Sequence, residues 1–214
     1  MSLSTPSPAA RKPRGEYAKS AEKRAAIVDA AFEEFAESGY RGGSLRGVAQ
    51  RVGMSEAGLL HHFRSKSALL EAVLEHRDEK ARERVPLDSP DGAEVLKGLV
   101  DLAAYNASIA GVVDLYTTLS AEATSADHPA HAYFVRHYAF TREKVERAFA
   151  KLDADGRLRH GFDPRQAAIT VIALMDGLQV QWLYTRDVVD MADALRRVFS
   201  VFVDIDWEPV PPTE

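Results

Sequence analysis

Apolar residues recur three and four positions apart along most of this chain, the spacing that gathers them on one face of an α-helix. Residues 21–38 carry Ile27, Ala30, Ala31, Phe35 and Ala36 in that register, Gly39 ends the run, and Tyr40 is expected to fold back on the core. Residues 44–63 hold two shorter periodic stretches with a tight break between them. A longer helix follows from 66 to about 84, with Leu69, Leu70, Val73 and Leu74 as its buried stripe, until Pro86 and the DSPDG segment at 88–92 stop it. Beyond that point the periodic stretches are 92–110, 111–123, 130–152, 164–186 and 189–203, with no alternating, strand-like segment of useful length. The pattern predicts an all-α chain of about nine helices.

The two short stretches at 44–63 are the most informative. Ser44 is placed to cap a helix through its side-chain oxygen. Leu45, Val48, Ala49 and Val52 follow at helical spacing, and Gly53 ends the run where a left-handed residue is cheapest. Ser55 then caps a second helix with Leu59 and Phe63 on its inner face, and a break this short is helix-turn-helix spacing. The second helix opens on Ser55, Glu56, Ala57 and Gly58, small or polar types that allow the first turn of a recognition helix to approach base edges. An ordinary helical hairpin inside a bundle has the same spacing, so the flanking residues decide.

Those flanking residues resemble the DNA-binding domain of the TetR family of bacterial transcription regulators. The resemblance runs without a gap over 24–74: Arg24, Ile27, Ala30, Ala31, Phe35, Gly39-Tyr40, Ser44-Leu45-Arg46, Val48-Ala49, Gly53-Met54-Ser55, Leu59, His61-His62-Phe63, Ser65-Lys66 and Leu69-Leu70. Two positions depart from the family pattern. Leu60 stands where a phosphate-contacting tyrosine is usual, which leaves it packing or a thymine methyl, and Ser67 stands where a glutamate is usual. The segment DGLQVQWL at 176–183, with ALRRVF at 194–199, is also similar to the C-terminal domain of choline-responsive repressors of that family.

Charge changes the picture only once it is divided. The whole chain is formally −5, but residues 1–70 hold 11 Lys/Arg against 7 Asp/Glu, while residues 71–214 hold 16 against 25. A basic end on an acidic body suits a protein that meets phosphate at one end. There is no cysteine, which excludes disulfides, thiol catalysis and thiolate metal sites. No unbroken apolar run is long enough to span a bilayer, because Asp176, Gln179 and Gln181 interrupt the richest segment, so no membrane partner is expected. The N-terminal basic residues lack the apolar core of a signal peptide, and a cytoplasmic protein is expected.

These readings divide the chain into a flexible basic arm at 1–18, a three-helix DNA-binding domain with the helix-turn-helix at 19–85, a helical effector-binding and dimerisation domain at 86–205, and a flexible tail at 206–214. Arg11, Lys12 and Arg14 of the arm are candidates for further phosphate or minor-groove contacts. Glu33, Glu34 and Glu37 should face away from DNA. Candidates for base edges are Ser55, Glu56, Ala57 and His61; for phosphate they are Ser44, Arg46, His61, His62 and Lys66, with packing beside Phe63 the alternative for His62. Asp163-Pro164-Arg165-Gln166 is a well-formed helix start, and the helix after it is apolar on most of its circumference, so it must be covered on several sides. The last two helices, with Phe199 among their contacts, are therefore expected to pair with their copies as a homodimer. The resemblance implies the same arrangement, and it implies repression of a near-palindromic operator in double-stranded DNA, relieved by a small-molecule effector.

Effector-contact candidates are Tyr105, Tyr116, His131, Phe134, Tyr138, Met175, Gln179 and Trp182, the large or partly polar residues on interior faces. Each has ordinary core packing as its alternative. An enzyme is not expected. His128 and His131 share a face with no carboxylate expected nearby, His137 points elsewhere, no strand carries a phosphate loop, and no cofactor or metal is called for. The remaining alternative is a helical DNA-binding or interaction protein without a small-molecule effector.

Overall fold

The computed structural model of the protein describes residues 14–109 and 111–207. Arg11 and Lys12 of the expected arm, and the tail from 208, lie outside the described residues. Within them the chain forms nine helices: α1 (Arg14–Gly42), α2 (Leu45–Val52), α3 (Glu56–His62), α4 (Lys66–Arg82), α5 (Gly92–Ser108), α6 (Val112–Glu122), α7 (His131–Ala154), α8 (Pro164–Tyr184) and α9 (Met191–Phe202). One isolated bridge, Leu158 with Val203, is the sole β pairing among the described residues.

The first helix starts earlier than its apolar pattern does. Residues 14–20 are helical rather than part of a loose arm, and Glu, Ala and Lys among them are good helix formers. At the other end Gly39, at φ 67° and ψ 166°, breaks the helix where expected, and one more turn runs to Gly42. Tyr40 folds back as expected, its ring edge-on to Phe35 at 5.7 Å and to His128 at 5.6 Å.

Ile27, Ala31 and Phe35 of α1 meet Val48 and Ala49 of α2, Leu59 of α3, and Leu69, Leu70, Val73 and Leu74 of α4 in one buried cluster. That cluster does not stop at the head. Leu115, Tyr116 and Leu119 of α6 and Tyr133 and Phe134 of α7 belong to it. A second cluster fills the body, where α5, α7, α8 and α9 contribute Leu96, Leu99, Phe149, Leu152, Val171, Leu195 and Phe199.

The body depends on one close approach. At Gly92, the first residue of α5, an added Cβ would lie 2.2 Å from the carbonyl oxygen of Ala148 and 2.9 Å from Leu152 Cγ. The backbone of α7 cannot yield as a flexible side chain would, so Gly92→Ala must push α5 off α7. Overpacking of this kind costs about 1–3 kcal/mol or more, and a melting temperature lowered by about 3–10 °C is expected in a calorimetric scan. An unchanged melting temperature would mean that α5 can slide along α7 at no cost.

Helix α8 buries Ala167, Ala168, Val171, Ile172, Leu178 and Trp182 within the chain. Its other flank carries Ile169, Val180 and Tyr184 to the surface, and Val188 and Val201 are exposed as well. By length and hydropathy alone α8 meets the measure of a membrane-crossing helix despite Asp176, Gln179 and Gln181, a measure that core helices of soluble proteins also meet. The contact expected of Phe199 needs correcting. Its ring is fully buried in its own chain and stacks on Trp207 at 6.0 Å, because α9 turns its apolar stripe toward α5 and the end of the chain.

Candidate nucleic-acid interface and small-molecule cleft

Three serine caps and one glycine set the geometry of the head. Ser44 Oγ accepts from the Gly47 N–H at 3.0 Å, Ser55 Oγ from Gly58 at 3.1 Å, and Ser65 Oγ from Ala68 at 3.1 Å. Between the first two, Gly53 adopts φ 68° and ψ 40°, and the Met54 N–H returns to the Ala49 carbonyl at 2.9 Å. A residue with a Cβ is strained in that left-handed conformation, so the three-residue turn depends on Gly53. The angle between α2 and α3 is held from behind. Arg51 pairs with Glu34 at 3.1 Å, with Glu33 at 3.5 Å and with Glu37, and Glu34 also accepts the Ser44 N–H at 3.2 Å. The three glutamates are thus engaged by Arg51.

On α3, Ser55, Glu56, Ala57, Leu60 and His61 are exposed, whereas Leu59 and Phe63 are buried. The base-edge candidates are therefore all open to solvent. Leu60 stands beside them, 39% exposed, and Ser67 pairs with the cap hydroxyl of Ser65 at 2.9 Å. Ser44 and Arg46 are exposed at the start of α2, and Arg46 has no ion pair among the described residues. His62 is half-buried and its carbonyl accepts from Arg24, whose guanidinium covers Phe63 at 4.0 Å. Lys66 is held inward, donating to the Arg41 carbonyl at 3.3 Å with its ammonium 4.5 Å from the Tyr40 ring centroid. Burial lowers its pKa, with the charge of Glu34 opposing the shift.

A cleft enclosing about 690 Å³, open mouth included, lies between α4, α5, α6, α7 and α8. Of this the enclosed space is about 90 Å³, less than the roughly 300–1,000 Å³ usual for a small-molecule site, so a ligand there must extend into the mouth. Four expected residues line it: Tyr116, Tyr138, Met175 and Gln179. The other four are engaged elsewhere. Tyr105 lies under the Arg84 guanidinium at 3.2 Å and faces a separate cavity beside Asp29, Phe32 and His76. His131 bonds through Nδ1 to the Ala123 carbonyl at 2.8 Å. Phe134 packs on Tyr116 at 5.4 Å in the head cluster, and Trp182 is buried in the body with Arg186 over its ring at 4.6 Å.

The cleft also holds charged residues that periodicity did not single out: Arg77, Asp78, His137 and Asp176. His137 does meet a carboxylate, Asp78, at 3.3 Å, and His128 lies 3.6 Å from Glu122, so the expectation that no acid stands near the histidines is corrected. Arg77 bonds the other Asp78 oxygen at 3.3 Å and lies 3.8 Å over the Tyr116 ring. Burial raises the Asp78 carboxyl, but the hydrogen bond to His137 and the charges of His137 and Arg77 outweigh it and hold the group below its ordinary range. Asp176 goes the other way, raised by burial against the 2.8 Å hydrogen bond that Tyr138 donates to it. Burial and the neighbouring Asp176 push the Tyr138 hydroxyl up to about 12. Asp176 left one trace in the sequence, as an isolated acid in a helix otherwise apolar nearly all round. Arg77 and Asp78 left none, because the charge run around them reads as a solvated face. Among the described residues no cluster of His, Asp and Glu is arranged to hold a metal ion.

Comparison with known proteins agrees with this architecture. Residues 27–73 match the family described as bacterial regulatory proteins, tetR family, and residues 112–204 match the BetI-type transcriptional repressor C-terminal domain. The helix-turn-helix-type regulator UidR of Escherichia coli is 36% identical over 67 residues, 30% of this chain and only 34% of UidR. The regulator TtgR of Pseudomonas putida is 26% identical over 192 residues, 86% of this chain and 91% of TtgR. The crystal structure of a TetR-family transcriptional regulator from Rhodococcus sp. superposes with a TM-score of 0.68 at 26% identity, covering 86% of this chain and all of that one.

Proposed function

Since the chain belongs to the TetR family of bacterial transcription regulators, we propose that it is a dimeric DNA-binding repressor, cytoplasmic and non-enzymatic, released from a near-palindromic operator by a small molecule. The observation that carries the DNA half is the open surface of α3, where Ser55, Glu56, Ala57 and His61 stand exposed on a helix held by two serine caps and Gly53. A twofold pair of such heads reads two half-sites. The exposed flank of α8, with Val180 and Tyr184, supports pairing through α8 and α9, and a partner chain covering it accounts for a helix this apolar outside any membrane. The effector half rests on the cleft, which α4 connects to the head.

Arg46 is the phosphate contact of choice, because it is exposed and unpaired where Lys66 is already held. Fluorescence anisotropy with duplex from the gene's own upstream region, and a scrambled duplex as control, tests the proposal. Tight binding of two protomers to the native duplex alone is expected, and equal weak binding to both duplexes would count against that operator. In the same assay Arg46→Ala should flatten the slope of log affinity against log salt by about 0.9 per protomer, with Lys66→Ala closer to wild type. The reverse order would return the phosphate contact to Lys66.

A further inference from the structure

Two polar side chains on α8 reach the cleft with hydrogen-bonding capacity left over. Asp176 accepts from Tyr138 through Oδ2, and its Oδ1 has no partner among the described residues. Gln179 is 8% exposed, faces the same cleft, and its side-chain amide likewise has no partner among the described residues. Three residues apart on one helix, the two share a face. Neither group is fully sealed from solvent, so a ligand that fills the cleft must replace the water hydrogen bonds it displaces there.

No cation pairs directly with Asp176 among the described residues. Arg77 and His137 are both engaged with Asp78, and Arg82 lies exposed at the rim. Asp176 is therefore the acid of the cleft that no cation contacts among the described residues, although Arg77 and His137 act on it from a distance. Around it the wall is apolar and aromatic, formed by Leu99, Leu102, Phe140, Ile172 and Met175.

Resting on the reading that this cleft holds the effector, we infer that the effector is a protonated primary or secondary amine on an apolar or aromatic body, its N–H groups donating to Asp176 Oδ1 and to the Gln179 amide oxygen. A quaternary ammonium neutralises the carboxylate but has no N–H for Gln179. A neutral alcohol donates one hydrogen bond and leaves the charge in place. An anion has one unpartnered donor on offer, Nε of Arg77, and it would be drawn in beside Asp78.

Calorimetric titration of the full chain with four probes of one shape tests this: phenylbutylamine, phenylbutanol, phenylbutyrate and phenylbutyl-trimethylammonium. The amine should bind wild-type protein at least about tenfold more tightly than the other three. Asp176→Asn should bring the amine to the affinity of the alcohol, and Gln179→Leu should narrow the gap between the amine and the trimethylammonium. Wild-type protein that binds the alcohol or the trimethylammonium as tightly as the amine overturns the inference and leaves the cleft as an effector site. Preference for phenylbutyrate overturns it in favour of Arg77. Failure of all four to bind at millimolar concentration overturns the effector-cleft reading beneath it.

Discussion

Ala57→Glu is expected to abolish operator binding while leaving the fold intact. Ala57 is exposed in the first turn of α3, and glutamate is a good helix former there, so the head should lose no stability. In the groove the new carboxylate would meet base edges between two rows of phosphates, without a counter-charge. Losing one favourable base contact is worth about 1–3 kcal/mol. Two half-sites, with phosphate repulsion added, make an affinity loss of at least about 100-fold the expected result. Anisotropy reads the loss, and circular dichroism confirms the fold. Normal operator binding by this variant would show that α3 is not the helix in the groove.

Val180→Asp is the second large effect. Val180 is 42% exposed on α8, in the middle of the apolar flank, so the chain alone tolerates a charge at that position. In a twofold dimer built on that flank, two aspartates would be buried near each other with no partner. An uncompensated buried charge costs about 3–5 kcal/mol, enough to dissociate the dimer at micromolar concentration. Sedimentation velocity should show a dimer for the wild type and a folded monomer for the variant. A dimer that survives would move the interface away from α8. Phe199→Asp would not serve as this test, because Phe199 lies inside the chain's own core and its loss unfolds the body.

The contrast between Val180 and Phe199 shows what the sequence conveys. Apart from α1, which starts seven residues early, periodicity found the helices within a few residues, because one stripe per helix is all that a helix needs to declare itself. It does not say which of several apolar faces meets the same chain and which meets a copy. On α8, apolar nearly all round, that choice depends on where α5, α7 and α9 happen to lie. The serine caps and Gly53 were legible because their chemistry is local. The Asp78–His137 pair was not, since its members stand 59 residues apart and meet only when α4 and α7 pack. Phe134 and Trp182 were placed on interior faces correctly, but an interior face can line a cleft or fill a core, and the packing around them makes both core.

The cluster that joins Leu70 and Leu74 to Leu115, Leu119 and Phe134 has a consequence for anyone who would rewire the protein. A head grafted onto a foreign body after residue 85 would leave behind the α6 and α7 side chains that seal its underside. Such a chimera would be expected to misassemble, however well its operator is chosen. The exchangeable module is larger than the DNA-reading helices: it includes the surface of the body on which they sit, and a working hybrid would have to carry that surface with it.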